Sequence, residues 1–170
     1  HRNSFFENQG DGRVVDRGGP RGLEGELIRG YYGHTIGAAF GDLDNDGDFD
    51  CVQANLAHPR FFDFSDKTQV LLQNASGVFE DNAGDWGAQD LVSANGLRYQ
   101  ETHSLPLLAD FDRDGDLDLV ISAVYDGRPT DFYLGDGDGT FTLDVLNAGI
   151  TVENGWAAAA SDWDHDGDVD

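Results

Sequence analysis

The sequence holds one cysteine (Cys51), no methionine and one lysine (Lys67), and each scarcity excludes something. A single cysteine rules out an intrachain disulfide. Cys51 opens an apolar stretch directly after Asp50, and a neighbouring carboxylate raises a thiol's pKa rather than activating it. It reads as a small buried strand residue. A chain beginning at His1 rather than at a methionine is expected to be a mature or trimmed product. No apolar run reaches the length of a membrane-spanning helix, about 18 residues, and no signal peptide is visible. Cations are scarce: 10 Lys and Arg stand against 33 Asp and Glu, for a formal charge of -23. Nucleic acids and anionic lipids are both held by basic side chains, so neither nucleic-acid binding nor membrane insertion is expected. Helical periodicity is absent over any useful length. There is no Gly-x-Ser-x-Gly, no zinc-ligand spacing and no phosphate loop, so no catalytic residue is assigned.

What the chain has in excess is aspartate and glycine. An aspartate stands at every second position of a nine-residue pattern that occurs three times, always with glycine sixth. The copies carry Asp42, Asp44, Asp46, Asp48 and Asp50; Asp110, Asp112, Asp114, Asp116 and Asp118; and Asp162, Asp164, Asp166, Asp168 and Asp170. So many carboxylates in one short loop repel each other unless a cation sits among them. Positions 1, 3, 5 and 9 offer carboxylates, position 7 offers its backbone carbonyl, and water would complete the shell. Hard oxygen donors in a flexible loop suit Ca²⁺ better than Mg²⁺, and no Cys or His holds a ligand position, which argues against Zn²⁺. About three Ca²⁺ sites are expected. The first six positions look like an EF-hand, but no Glu stands at position 12 and no amphipathic helix flanks the loop. His165, at position 4 of the third copy, should point away from the ion.

The loops start 68 and 52 residues apart, and other features recur in phase with them. An apolar stretch precedes each loop. Strand-like runs follow at Phe49 to Ala54 and Leu117 to Val124, then at Gln69 to Gln73 and Asp131 to Leu134. A glycine-containing turn and a Phe come next: Asn74 to Phe79, and Gly135 to Phe141. With 23 glycines in 170 residues, about twice the usual share, the chain suits turn-rich β structure. Each unit reads as four short antiparallel strands, A to D, with the aspartate loop joining A to B and the glycine turn joining C to D. The expected fold is therefore all-β, built of β-propeller blades. The units divide as a partial blade at 1–16, blades at 34–84 and 102–146, and the start of another at 156–170. Closure needs at least about four blades, so the chain reads as a segment of an incomplete propeller.

The pattern Asp-x-Asp-x-Asp-Gly-x-x-Asp, the apolar strand behind it and the later Gly-x-Phe turn resemble the FG-GAP/VCBS-type repeats of integrin α-subunit propellers and of many secreted bacterial proteins. The resemblance covers most of residues 34–170 and, more weakly, 3–16. It implies a propeller, usually of seven blades, with Ca²⁺ in the A–B hairpins of certain blades. This chain departs from it in length. Carried over, the ligands are the aspartates at positions 1, 3, 5 and 9 and the carbonyl at position 7. Extracellular sites of this kind bind at roughly 10⁻⁴ to 10⁻³ M, which cytosolic calcium would not fill. The expected compartment is extracellular or cell surface, or periplasmic.

In a propeller the A–B and C–D hairpins share one face. The other face would carry Tyr31, His34, Tyr99 and His103 from the D–A connections, and His58, Arg60, Tyr125 and Arg128 from the B–C connections. Aromatic residues and Arg are common interface anchors. His34 and His103 fall eight and seven residues before their loops and read as structural equivalents. Three functions follow. An adhesion or assembly module, binding protein or copies of itself, ranks first. A carbohydrate-binding propeller ranks second. A polysaccharide lyase using His34, Tyr99, His103 and Arg128 ranks third. The sequon Asn74-Ala75-Ser76 lies at a C–D turn, where a glycan would be accessible.

Overall fold

A computed structural model describes residues 1–27, 30–56, 67–82, 92–98, 102–144 and 148–170. Within them the protein is all-β apart from one short helical turn, α1 at Gly18–Arg21. A two-stranded hairpin, β1 (Phe6–Asn8) and β2 (Val14–Asp16), comes first. The first four-stranded sheet follows: β3 (Thr35–Gly41), β4 (Asp50–Asn55), β5 (Gln69–Gln73) and β6 (Phe79–Asp81). The second consists of β7 (His103–Ala109), β8 (Asp118–Ala123), β9 (Asp131–Gly135) and β10 (Phe141–Leu143). Both sheets are antiparallel meanders in sequence order, and their strands have the same lengths in turn: 7, 6, 5 and 3 residues. Antiparallel four-stranded sheets and almost no helix are what the sequence predicts. No closed propeller is formed among the described residues.

The aspartate loops connect β3 to β4 and β7 to β8, as expected. The glycine turns connect β5 to β6 and β9 to β10. They share one closing hydrogen bond, Asn74 N to Val78 O at 2.8 Å and Asp136 N to Thr140 O at 3.0 Å. The N-terminal hairpin repeats it, with Gln9 N donating to Arg13 O at 2.9 Å. That hairpin therefore has the form of a C–D pair, which accounts for the partial repeat in the first residues.

The second strand of each sheet is buried at all six positions, because both of its faces are covered. Val52, Ala54 and Val70 of the first sheet meet Leu119, Ile121 and Tyr133 of the second in one core cluster. Cys51 and Leu71 point the other way, against Leu23 and Phe79. Each large apolar side chain so buried contributes about 1.5–3 kcal/mol of transfer free energy. Burial also pushes the Cys51 thiol up to about 12, helped by the adjacent Asp50 carboxylate, so Cys51 is an inert core residue.

Backbone contact with the outer strand comes from the segment ahead of each sheet. Gly22 and Gly96 both have positive φ and lie so close to β6 and β10 that a Cβ would stand 2.2 Å from Phe79 O and 1.8 Å from Phe141 O. The following residues, Leu23 and Leu97, are buried. Gly-Leu thus clips the D strand of its own sheet in both repeats.

Candidate metal centres and the opposite face

The three aspartate loops fold alike. Glycine at position 6 has φ of 94°, 100° and 95° in Gly47, Gly115 and Gly167, a backbone region that side chains avoid. Position 4 is also left-handed, with φ of 59° at Asn45, 64° at Arg113 and 63° at His165. Two left-handed residues in six tighten the loop enough to turn its carboxylates inward. Glycine 6 then donates its N–H to the position-1 carboxylate, at 3.1 Å to Asp42, 3.2 Å to Asp110 and 3.2 Å to Asp162.

Position 9 has a dual role. Asp50 is fully buried; its Oδ2 accepts from Leu43 N at 2.8 Å and its Oδ1 from Gln73 N at 2.8 Å. Asp118 repeats this with Phe111 N at 2.8 Å and Gly135 N at 2.9 Å. The aspartate that ends each of these two loops therefore ties it to the last residue of strand C. In the third loop Asp170 keeps the first of these bonds, to Trp163 N at 2.9 Å.

Three carboxylates converge in each loop, those of positions 1, 3 and 9: Asp42, Asp44 and Asp50; Asp110, Asp112 and Asp118; Asp162, Asp164 and Asp170. Within each group one oxygen per residue lies within 4.8 Å of the others. The position-5 aspartates stand outside these groups and bond the loop instead, Asp46 Oδ1 accepting from Asp48 N at 2.9 Å. Burial first, and then the charges of Asp44 and Asp46, hold the Asp50 carboxyl above the usual range despite its two N–H donors. Asp44 is raised by burial and then by Asp46 and Asp42, and Asp118 by burial and the charge of Asp112. Asp42 Oδ1 and Asp110 Oδ1, the same atom in two loops, are buried without a hydrogen-bond partner. A buried carboxylate oxygen left unpaired costs on the order of 1–3 kcal/mol or more. Crowded carboxylates and an orphaned buried oxygen at position 1 fit a hard divalent cation.

The loops also touch one another. Asn45, at position 4 of the first loop, donates from Nδ2 to Asp116 Oδ1, at position 7 of the second, at 2.7 Å. Arg113, at position 4 of the second, pairs with Asp168, at position 7 of the third. Sequence reasoning gave position 7 only a carbonyl role and position 4 none. The signal was available in the polar residues, Asn, Arg and His, at a position that ligates nothing.

On the opposite face the predicted residues separate. His58, Arg60 and Tyr99 lie outside the described residues. Tyr31 and Tyr125 are exposed, at 66% and 54%. Tyr125 has φ of 79° and shares a turn with Arg128, whose N–H donates to Tyr125 O at 3.3 Å. His34 is exposed but His103 is 1% exposed, so the two are not equivalents. His34 O accepts from Leu56 N at 2.9 Å, whereas Thr102 O accepts from Val124 N at 2.9 Å. His34 thus corresponds to Thr102, and His103 to Thr35. A one-residue offset in a strand reverses the face a side chain takes, so His103 is a core residue rather than a partner contact.

His103 belongs to a buried polar network. Asp131, fully buried, is gripped by Arg98 through Nε at 2.7 Å and through Nη2, and accepts from Tyr133 Oη at 3.2 Å. His103 Nε2 lies 3.5 Å from Asp131 Oδ2, at the outer limit of a hydrogen bond, and its Nδ1 is 2.7 Å from Thr68 Oγ1. Burial would raise Asp131, but His103 and Arg98 overcome it and hold the carboxyl below its ordinary value. Burial lowers His103 more than Asp131 raises it. Thr68 precedes β5 and His103 begins β7, so this network joins the two sheets on the face away from the aspartate loops.

Fold and loops together define a repeat protein of four-stranded antiparallel units with acidic A–B loops. Residues 110–170 match the family model described as the FG-GAP-like repeat, which supports an FG-GAP-type repeat family for this chain. No curated protein matches it.

Proposed function

We propose that the chain is a calcium-stabilised segment of an extracellular β-propeller that serves adhesion or assembly by binding protein or copies of itself. The observation that carries the metal half is the threefold recurrence of the position 1, 3 and 9 carboxylates, with an orphaned buried oxygen at position 1 in two loops. Asp42, Asp44 and Asp50 and their equivalents would hold the ion, with position 5 and the position-7 carbonyl completing the shell. A bound Ca²⁺ supplies positive charge, not chemistry. It offsets carboxylate repulsion in the folded state and has no preformed site in the unfolded one, so its binding energy adds to stability. Strand pairs that depend on these loops then stand or fall with the ion, and the millimolar calcium outside cells suits weak sites of this class.

The partner half rests on the exposed Tyr31, Tyr125 and His34. His103 is 1% exposed with its Nδ1 held 2.7 Å from Thr68 Oγ1, which weakens the lyase reading that needs it at the surface. Thermal melting tests the calcium reading. Excess chelator is expected to lower the midpoint, Ca²⁺ to restore it and Mg²⁺ to restore it less. An unchanged melt in chelator overturns it.

A further inference from the structure

The first aspartate loop holds the second by two routes, and both end on groups assigned to the second metal centre. Asn45, at position 4, donates from Nδ2 to Asp116 Oδ1 at 2.7 Å and to Gly137 O at 3.3 Å. Asp116 N in turn donates to Asp114 Oδ1 at 2.9 Å. With its N–H and its carboxylate both held, residue 116 has little freedom left to turn the carbonyl that position 7 offers. The second route is longer. Leu43 O accepts from Gly139 N at 2.9 Å, which fixes the glycine turn between β9 and β10. That turn begins at Gly135, whose N–H donates to Asp118 Oδ1 at 2.9 Å, and Asp118 is one of the three converging carboxylates. The joint is close: a Cβ at Gly137 would stand 2.5 Å from Asp116 Oδ1. The contact of position 4 with position 7 recurs between Arg113 and Asp168.

We propose that the first and second calcium sites fill cooperatively, with Asn45 as the positioning residue that couples them. The proposal rests on the calcium reading above and adds a relation between its sites. Asn45 reaches Asp116 only while both loops keep their tight form, which the φ of 59° at Asn45 itself and of 100° at Gly115 help define. An ion that holds the first loop in that form has already ordered one side of the joint, so the second loop is ordered at less cost. By linkage the second ion favours the first by the same factor. Repulsion between the two ions does not cancel this. Each loop carries five aspartates, so it stays anionic with one Ca²⁺ bound. One such hydrogen bond at the surface corresponds to a coupling of about two- to tenfold in affinity.

Amide NMR of the full chain during a Ca²⁺ titration reads each site through its position-6 glycine, since the N–H of Gly47 and of Gly115 donates to a position-1 carboxylate. Asp44→Asn removes a ligand from the first site. It is expected to raise the Ca²⁺ midpoint at Gly115 by about two- to tenfold. Charge alone predicts the opposite, because an empty first loop is the more negative neighbour. Asn45→Gly keeps the left-handed backbone and every ligand while deleting the contact. In that background Asp44→Asn should leave the Gly115 midpoint where it was. Asn45→Asp combined with Asp116→Asn exchanges donor and acceptor, keeps the position-7 carbonyl and should restore the dependence. A residue that merely stabilised its own loop would not be rescued in this way. A Gly115 midpoint indifferent to Asp44→Asn, or one equally sensitive with Asn45→Gly, overturns the proposal and leaves the calcium reading standing. Should Asp44→Asn unfold the chain, the curve shapes decide. Gly47 and Gly115 are expected to titrate together and more steeply than independent sites, and Asn45→Gly to flatten both; shallow wild-type curves, or curves that Asn45→Gly leaves unchanged, overturn the coupling. Glycine signals that ignore Ca²⁺ remove both the coupling and the calcium reading.

Discussion

At the scale of single residues, glycine does two different jobs in this chain, and substitution separates them. Gly47 needs its positive φ but has open space where a Cβ would point. Gly47→Ala should therefore cost only the backbone strain, about 1–3 kcal/mol. Gly96 needs both its φ and the space, because a Cβ there would overlap Phe141 O. Gly96→Ala is expected to cost about 3 kcal/mol or more, since the clip must leave β10 and uncover Leu97. Urea unfolding of the two variants in Ca²⁺ checks the order; equal losses would contradict it. The sequence made the first glycine legible because it sits inside a dense, repeated motif. The second was hidden because Gly-Leu is a common pair, and only its place ahead of each sheet gives it meaning. Residue identity likewise told less than register at the histidines. Counting back from the loops put His34 and His103 together, but the strand ladder separates them by one position and hence by one face.

At the scale of elements, the two sheets are joined at opposite ends by polar contacts of different kinds. The loop end uses Asn45, exposed, and Asp116, half-buried. The far end uses Thr68, His103, Asp131 and Arg98, mostly buried. The far contact was not legible in advance, and the loop contact left only the trace of polar residues at position 4, because a pairing between repeats depends on how sheets pack and not on local pattern. The strands themselves were legible, since their apolar runs and turn residues recur in phase. The buried end makes stability depend on pH. His103 has its folded pKa lowered by burial, so the unfolded chain binds a proton that the folded chain refuses. Its contribution is complete above the ordinary histidine value, about 6.5, and is lost as pH falls below it. Asp131, also lowered, adds a second loss as pH falls through the ordinary carboxylate range, about 3.9. Wild-type stability in saturating Ca²⁺ should therefore decline from about pH 7 to pH 5. His103→Gln keeps hydrogen-bonding capacity without a titrating ring and should flatten that decline while lowering stability at pH 7. Chemical denaturation at both pH values measures it; an unchanged slope in the variant would exclude His103 as the source.

At the scale of the whole molecule, the charge of -23 is concentrated: fifteen of the 33 acidic side chains lie in three short loops. The carboxylate groups are a few ångströms across, well inside the screening length of about 8–10 Å at physiological salt. Monovalent salt therefore screens repulsion between loops and along the surface better than repulsion within one loop. A divalent ion does the reverse, cancelling charge where the carboxylates converge and leaving about -17 overall if all three groups are filled. The two kinds of ion should then be partly redundant. With chelator present, adding sodium chloride is expected to raise the melting midpoint, by about 2–4 °C for each kcal/mol of repulsion relieved. With Ca²⁺ bound, the same addition should raise it less, because the densest charge is already offset and screening weakens the ion's hold on its ligands. Parallel salt series in the two states decide the matter. Equal slopes would mean that the loops contribute no more to self-repulsion than the remaining acidic surface, and that the convergence of aspartates has no part in the energetics of the folded chain.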